Sequence, residues 1–187
     1  MKANYNEVLE KEMDELLKPL YEYGYDGDGQ FTYLLDELKN KFNETNYPGY
    51  LYRIADLYDG CYLEPNKVDD YKDYLEKAAG MDYVPAINRL NERCLEDINF
   101  EMMFNGHMFE RAIDFDDPYG KYLLAKYYMM ESIYDNTMQG FFIVGLKLMK
   151  ESADQGCEKA IKFMRNAQNS EVLKYIKKPE KEITILK

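Results

Sequence analysis

The chain has 187 residues, 46% of them hydrophobic and 32% charged, which excludes a disordered polar segment and allows one sizeable core or a solenoid of about four to five short units. Acidic residues outnumber basic ones by 35 to 24, and the resulting net charge of −11 repels nucleic-acid phosphate and anionic lipid while steering a basic partner inward. No stretch approaches the ~18 apolar residues of a membrane span. Met1 to Lys18 mixes acids, bases and apolar residues as a helix does rather than a signal peptide, and Cys61, Cys94 and Cys157 are odd in number and far apart, so the expected setting is a reducing cytoplasm.

Apolar residues at three- and four-residue spacing predict a first helix over 5–23, with Asn4 or Asn6 as its cap and Pro19 as a kink or an early end. After a Gly- and Asp-rich turn, a second helix is expected over 30–43, and then others over 48–58, 67–79, 84–95 and 100–113. Asp116, Asp117 and Pro118 form a start signal for a helix to Met130, and Asn136 or Thr137 opens a long one that stops near Gly156. Helices over 158–168 and 171–177 complete an all-α expectation; only Ile183 to Ile185 alternates as a strand does.

Within this series one unit returns. Tyr74 to Ala79 closes one helix ahead of Ala86, Met108 to Ile113 does so ahead of Gly120, and Leu148 to Ala153 ahead of Ala160. With Tyr50 as a fourth equivalent position, the separations are 36, 34 and 40 residues, inside the range of about 34–47 found in helical-pair repeats. Four residues after each position stands Ile54, Leu90, Leu124 or Met164. Five after stand Ala55, Asn91, Ala125 and Arg165, and eight after stand Tyr58, Cys94, Tyr128 and Gln168. A small residue at the fifth place lets a neighbouring helix approach closely.

This pattern resembles the Sel-one-like repeat family, a relative of the tetratricopeptide repeat. The family's unit has a small residue, Leu four later, Gly five later and Tyr eight later, and its second helix ends in Trp-Tyr-x-Lys-Ala-Ala before a Gly. Tyr74 stands at the Trp place with Lys77, Ala78 and Ala79 completing the signature; Arg111-Ala112 and Ala153 to Gly156 are the other clear matches. Trp is absent throughout, Asp82 and Asp116 stand where the link Gly would be, and Asn91 occupies a small-residue place. The resemblance implies an α/α solenoid of antiparallel helix pairs, a right-handed superhelix forming one domain. Residues 1–46 would be an N-terminal capping pair, 47–169 the repeats, and 170–187 a short helix and tail.

The chemistry-bearing residues give no catalytic signature. His107 is the only histidine and reads as a packed structural residue, and the three cysteines have no zinc spacing. The stretch Asp26 to Glu37 imitates a calcium loop, but Phe31 replaces the Gly that such a loop requires at its sixth position. No phosphate loop or nucleophile elbow is present, so neither an enzyme, a cofactor nor a metal is expected.

By analogy with tetratricopeptide stacking, the resemblance implies a concave groove lined by Tyr52, Asp56, Asp59, Asn88, Glu92, Tyr119, Tyr122 and Lys126. Carboxylates suit guanidinium groups and tyrosines offer cation-π faces, so the expected function is binding of a basic protein partner. The resemblance implies an adaptor or scaffold role. Small size and acidity add a narrower reading, an immunity or antitoxin protein that masks a toxin. The alternatives are a small-ligand or β-lactam-hydrolysing repeat protein, as reported for some of the family, and a self-associating scaffold. The oligomeric state is left open.

Overall fold

The computed structural model describes residues 5–23, 28–59, 68–96, 107–134 and 139–167. Among them are nine helices and no strand: α1 (Glu7–Tyr23), α2 (Asp28–Thr45), α3 (Pro48–Asp59), α4 (Val68–Gly80), α5 (Val84–Glu96), α6 (His107–Asp114), α7 (Pro118–Tyr134), α8 (Gln139–Asp154) and α9 (Glu158–Ala167). The all-α expectation holds for these residues. The expected helical residues 100–106, the helix over 171–177, the alternating tail and Cys61 lie outside the described residues.

The helix ends follow from capping chemistry. Asn6 caps α1, its Oδ1 accepting from the backbone N–H groups of Val8 at 3.1 Å and Leu9 at 3.3 Å. Asp117 caps α7 in the same way, accepting from Gly120 N at 2.6 Å, with Pro118 in the first turn where no intrahelical donor is needed. Pro19 does not end α1, which continues to Tyr23. Proline removes the donor that would bind the Glu15 carbonyl, and both residues are exposed, so the missing bond falls on the solvent side of the helix. α2 begins at Asp28, so the last ten positions of the calcium-loop imitation, 28–37, are helical rather than a metal-wrapping loop.

Four interhelical turns share one backbone device. Asn46, Asp82, Asp116 and Gly156 all have positive φ (51°, 61°, 55° and 95°), and each lies four residues before Tyr50, Ala86, Gly120 and Ala160 respectively. Only Gly adopts this conformation without cost; Asn and Asp are the residues that tolerate it best. The hydrogen bonds repeat as well. Asp82 N donates to Ala79 O and Tyr83 N to Ala78 O, while Gly156 N donates to Ala153 O and Cys157 N to Ser152 O, which is a Schellman ending in both cases.

The residues after these turns are buried in register. Tyr50, Ala86, Gly120 and Ala160 are all buried, as are Ile54, Leu90 and Leu124 four places on and Ala55, Asn91 and Ala125 five places on. The last copy departs from this, with Met164 half-buried and Arg165 exposed. Leu75, Phe109 and Met149, at matching places in α4, α6 and α8, are buried, as are Ala78, Ala79 and Ser152.

The chain divides into two compact units, 1–90 and 91–187, with the boundary inside α5. In the first, α3 packs mainly on α4 and also meets α2 and α1. In the second, α7 packs mainly on α8 and also meets α6, and α8 meets α9. At Gly145 of α8 an added Cβ would sit 2.9 Å from the Ala125 carbonyl oxygen and 2.9 Å from Met129 Cγ. Gly145 therefore lets α8 come close to α7 beside Ala125, the small residue five places after Gly120.

Gly145→Ala is expected to force these two helices apart and cost about 1–3 kcal/mol. Gly140→Ala, in the first turn of the same helix with no atom within 4 Å of its Cβ position, should instead stabilise slightly, by up to about 0.5 kcal/mol, through helix propensity. Denaturant unfolding of the two variants checks the opposite signs; two shifts in one direction would contradict the packing described.

Candidate functional site

In the first unit, Tyr52, Asp56 and Asp59 stand at i, i+4 and i+7 on α3 and therefore share one helical stripe. Asn88 is on α5 and is buried. Between them lie two arginines that composition did not single out. Arg53 reaches back to α1, donating to Asp14 at 2.8 Å, with Glu10 at 3.9 Å and Asp56 at 3.8 Å. Arg89 of α5 donates to Asp59 Oδ2 at 2.6 Å.

These partners separate two chemically identical residues. Asp59 is held by a short charge-assisted bond. Asp56 has only the longer approach of Arg53, and burial pushes its carboxyl up to about 6, helped by the Asp59 charge and opposed by Arg53 and Arg89. Burial also pushes the Tyr52 hydroxyl up to about 12, with the Asp56 charge acting in the same direction.

Behind this stripe is a cluster that the sequence did not reveal. Glu10 of α1 is 8% exposed, yet accepts hydrogen bonds from the hydroxyls of Tyr47 at 2.5 Å and Tyr83 at 2.7 Å. Burial first, and the bond to this carboxylate second, raise both tyrosines above the usual phenol range. Tyr47 and Tyr83 each follow a left-handed residue, Asn46 and Asp82, so their equivalence was readable from spacing. Their shared acceptor, 37 and 73 residues distant, was not. Gly49 completes the cluster, since a Cβ there would meet Tyr47 at 2.5 Å, Met13 at 2.9 Å and Glu10 at 3.0 Å.

In the second unit the structure brings Glu92, Tyr119, Tyr122 and Lys126 together, and adds Lys159 of α9. Tyr119 donates to Glu92 Oε1 at 2.5 Å, and Lys159 donates to the same oxygen at 3.0 Å and to the Tyr119 hydroxyl at 2.6 Å. The Tyr119 and Tyr122 rings stack at 5.7 Å. Lys159 stands 4.7 Å from the centre of the Tyr119 ring, and Lys126 stands 5.9 Å from that of Tyr122. Burial and the bond to Glu92 push Tyr119 up to about 12 against the opposing pull of Lys159. Lys159 precedes Ala160 as Tyr119 precedes Gly120, so the repeat register carried the signal that would have found it.

The cation-π faces expected to await a partner are thus covered by the chain's own lysines in this unit, and Glu92 is engaged by Tyr119 and Lys159. The charge is also uneven. The first unit holds 19 acidic and 10 basic residues and the second 16 and 14, so nine of the eleven excess negative charges precede Asn91. Cys94 and Cys157 are half-buried beside the apolar clusters of the second unit. The side chain of His107 lies outside the described residues. Among the described residues no group of three or more His, Cys, Asp or Glu side chains could hold a metal ion, and no helix is long and apolar enough to cross a membrane.

No family model, curated protein or solved structure matches the chain.

Asp56 yields a pH prediction with a definite sign. Its folded pKa, about 6, lies above its ordinary value of 3.8, so its favourable contribution is complete below about pH 4 and is lost as pH rises through 6. Asp56→Asn, which stays neutral, is expected to be more stable than the native protein at pH 7.5, and to lose that advantage near pH 4. The side chain is 32% exposed, and with that screening allowed for the gain is about 1 kcal/mol. Thermal melts of both proteins across this range check it, and parallel curves would contradict it.

Proposed function

We propose that the chain is a non-catalytic protein-binding module of the Sel-one-like type. It would be a cytoplasmic α/α solenoid of antiparallel helix pairs that binds a basic protein partner through the half-buried stripe of its first helices. The observation carrying this reading is the recurrence of the left-handed turn in register with the stripe. Tyr52 and Tyr122 stand at one offset from the equivalent positions, and Asp56, Glu92 and Lys126 at another. The acidic excess of the first unit supports a basic partner, because a field of one sign raises the rate of encounter with the opposite charge. Size and acidity favour the narrower role of an immunity-type inhibitor that covers a basic toxin surface.

The internal pairing of Asp59 and Glu92 shapes how such binding would work. Carboxylates already bonded to Arg89 and Lys159 contribute to the long-range field but give less to a direct contact. Affinity would then depend strongly on salt through encounter, and on a few groups through contact.

The test uses two fluorescein-labelled peptides of equal length, one rich in arginine and one rich in glutamate, titrated by anisotropy at low and physiological salt. The expected result is binding of the arginine-rich peptide alone, weakened at higher salt. The double charge reversal Asp56→Lys with Glu92→Lys should weaken it by about tenfold or more. Equal affinity for both peptides, or none for either, would overturn the reading.

A further inference from the structure

Among the carboxylates around Arg53 and Arg89, three have close or multiple partners. Asp14 accepts from Arg53 at 2.8 Å, Asp59 from Arg89 at 2.6 Å, and Glu10 from the hydroxyls of Tyr47 and Tyr83. The fourth is Asp56. Its nearest cation is Arg53 Nη1 at 3.8 Å, beyond hydrogen-bonding distance, although it sits between both guanidinium groups in charge terms. Two cations therefore face four carboxylates; of the two acids without a close cation, Glu10 accepts from two hydroxyls, and Asp56 is the one that no short bond holds. Asp56 remains one-third accessible on the stripe it shares with half-buried Tyr52, in the unit that carries most of the acidic excess.

We propose that Asp56 is the anchor point for an arginine side chain of a basic protein segment, with the Tyr52 ring flanking the bound guanidinium. The proposal rests on the basic-partner reading above and names the residue that would make the direct contact. A guanidinium completes the site because it supplies planar donors to a carboxylate that has none at close range, and an aromatic face one helical turn away adds a cation-π surface.

Burial already works against ionising this carboxylate, so binding of a cation must be linked to its deprotonation. The groups that bear on this linkage are Arg53 and Asp59 on the same helix, Glu10 and Asp14 of α1 acting through Arg53, Arg89 of α5, and Tyr71 of α4, whose hydroxyl acts on both Arg89 and Tyr52. With the carboxyl titrating at about 6, affinity for arginine should rise about tenfold between pH 5 and pH 7.5.

The experiment titrates the labelled arginine-rich peptide, which has no group titrating in this range, against the full-length protein at several pH values. Three proteins are compared: native, Asp56→Asn, and Glu15→Gln as an exposed acid on α1 that removes the same charge. The native protein and Glu15→Gln are expected to show the tenfold rise. Asp56→Asn should bind about tenfold more weakly at pH 7.5 and show a flat profile, with thermal melts establishing that it is folded. If Asp56→Asn keeps the native affinity and profile, or Glu15→Gln loses as much, the anchor assignment is overturned while the basic-partner reading stands. If the native protein binds no arginine-rich peptide at any pH, both are overturned.

Discussion

One backbone constraint underlies the described architecture: a single residue forced into the left-handed region between a helix that ends and a helix that begins. Asn46, Asp82, Asp116 and Gly156 meet that constraint. In the two Schellman endings it turns the chain so that orphan carbonyls are paired at once, Ala78 and Ala79 in one case and Ser152 and Ala153 in the other. The buried residue four places later then falls in a fixed rotational position on the next helix. Because a helix advances 100° per residue, fixing that one position fixes which face carries Ile54, Leu90 and Leu124 into the core and which face carries Tyr52, Asp56 and Tyr122 toward the surface. A misplaced turn would rotate every later side chain at once.

The polar interactions follow the same frame. Tyr47 and Tyr83 directly follow left-handed residues, and both hydroxyls meet the buried Glu10. Two phenol donors make a largely desolvated carboxylate tolerable in a region where an uncompensated one would cost several kcal/mol (about 3–5). In the second unit Lys121 does similar work between turns. It is 7% exposed, pairs with Asp116 of one turn and donates to Gln155 of the next at 3.1 Å, while Gln155 donates back to Asp116 at 3.0 Å. Ser152 adds a bond to the Pro118 carbonyl at 2.6 Å. The turns are therefore tied to one another by side chains as well as shaped by their own dihedrals.

Much of this was legible in the sequence, for reasons that separate local from distant physics. Helix starts at Asn6 and Asp117 follow from capping by the adjacent residues, and the small residues at Ala55 and Ala125 announce close packing through volume alone. The register also named Tyr119 and Tyr122. What failed to show was pairing across long separations. Neither Arg53 with Asp14 nor Lys159 with Glu92 has a local pattern, since they are 39 and 67 residues apart. Some of the carboxylates and rings that the sequence offers as surface are thus engaged inside the fold, by Arg89 and Lys159 from other helices and by Lys126 from the same one. Of the two outcomes the local rule gave for Pro19, a kink or an early end, the early end does not occur, the lost donor being offset by exposed surroundings.

The contrast between Asp56 and Asp59 shows what such distant pairing does to function. Both lie on one stripe of α3, three residues apart, and no property of the residue type distinguishes them. Arg89 selects Asp59, and that choice leaves Asp56 the more costly charge to hold at neutral pH. A group whose ionised form is disfavoured in the fold lowers the stability of the chain at neutral pH, and a cation supplied from outside would return part of that free energy by stabilising the ionised state. Stability and recognition are then coupled through the same carboxyl. A stripe in which every acid was paired as Asp59 is would be more stable and would have less to offer a partner.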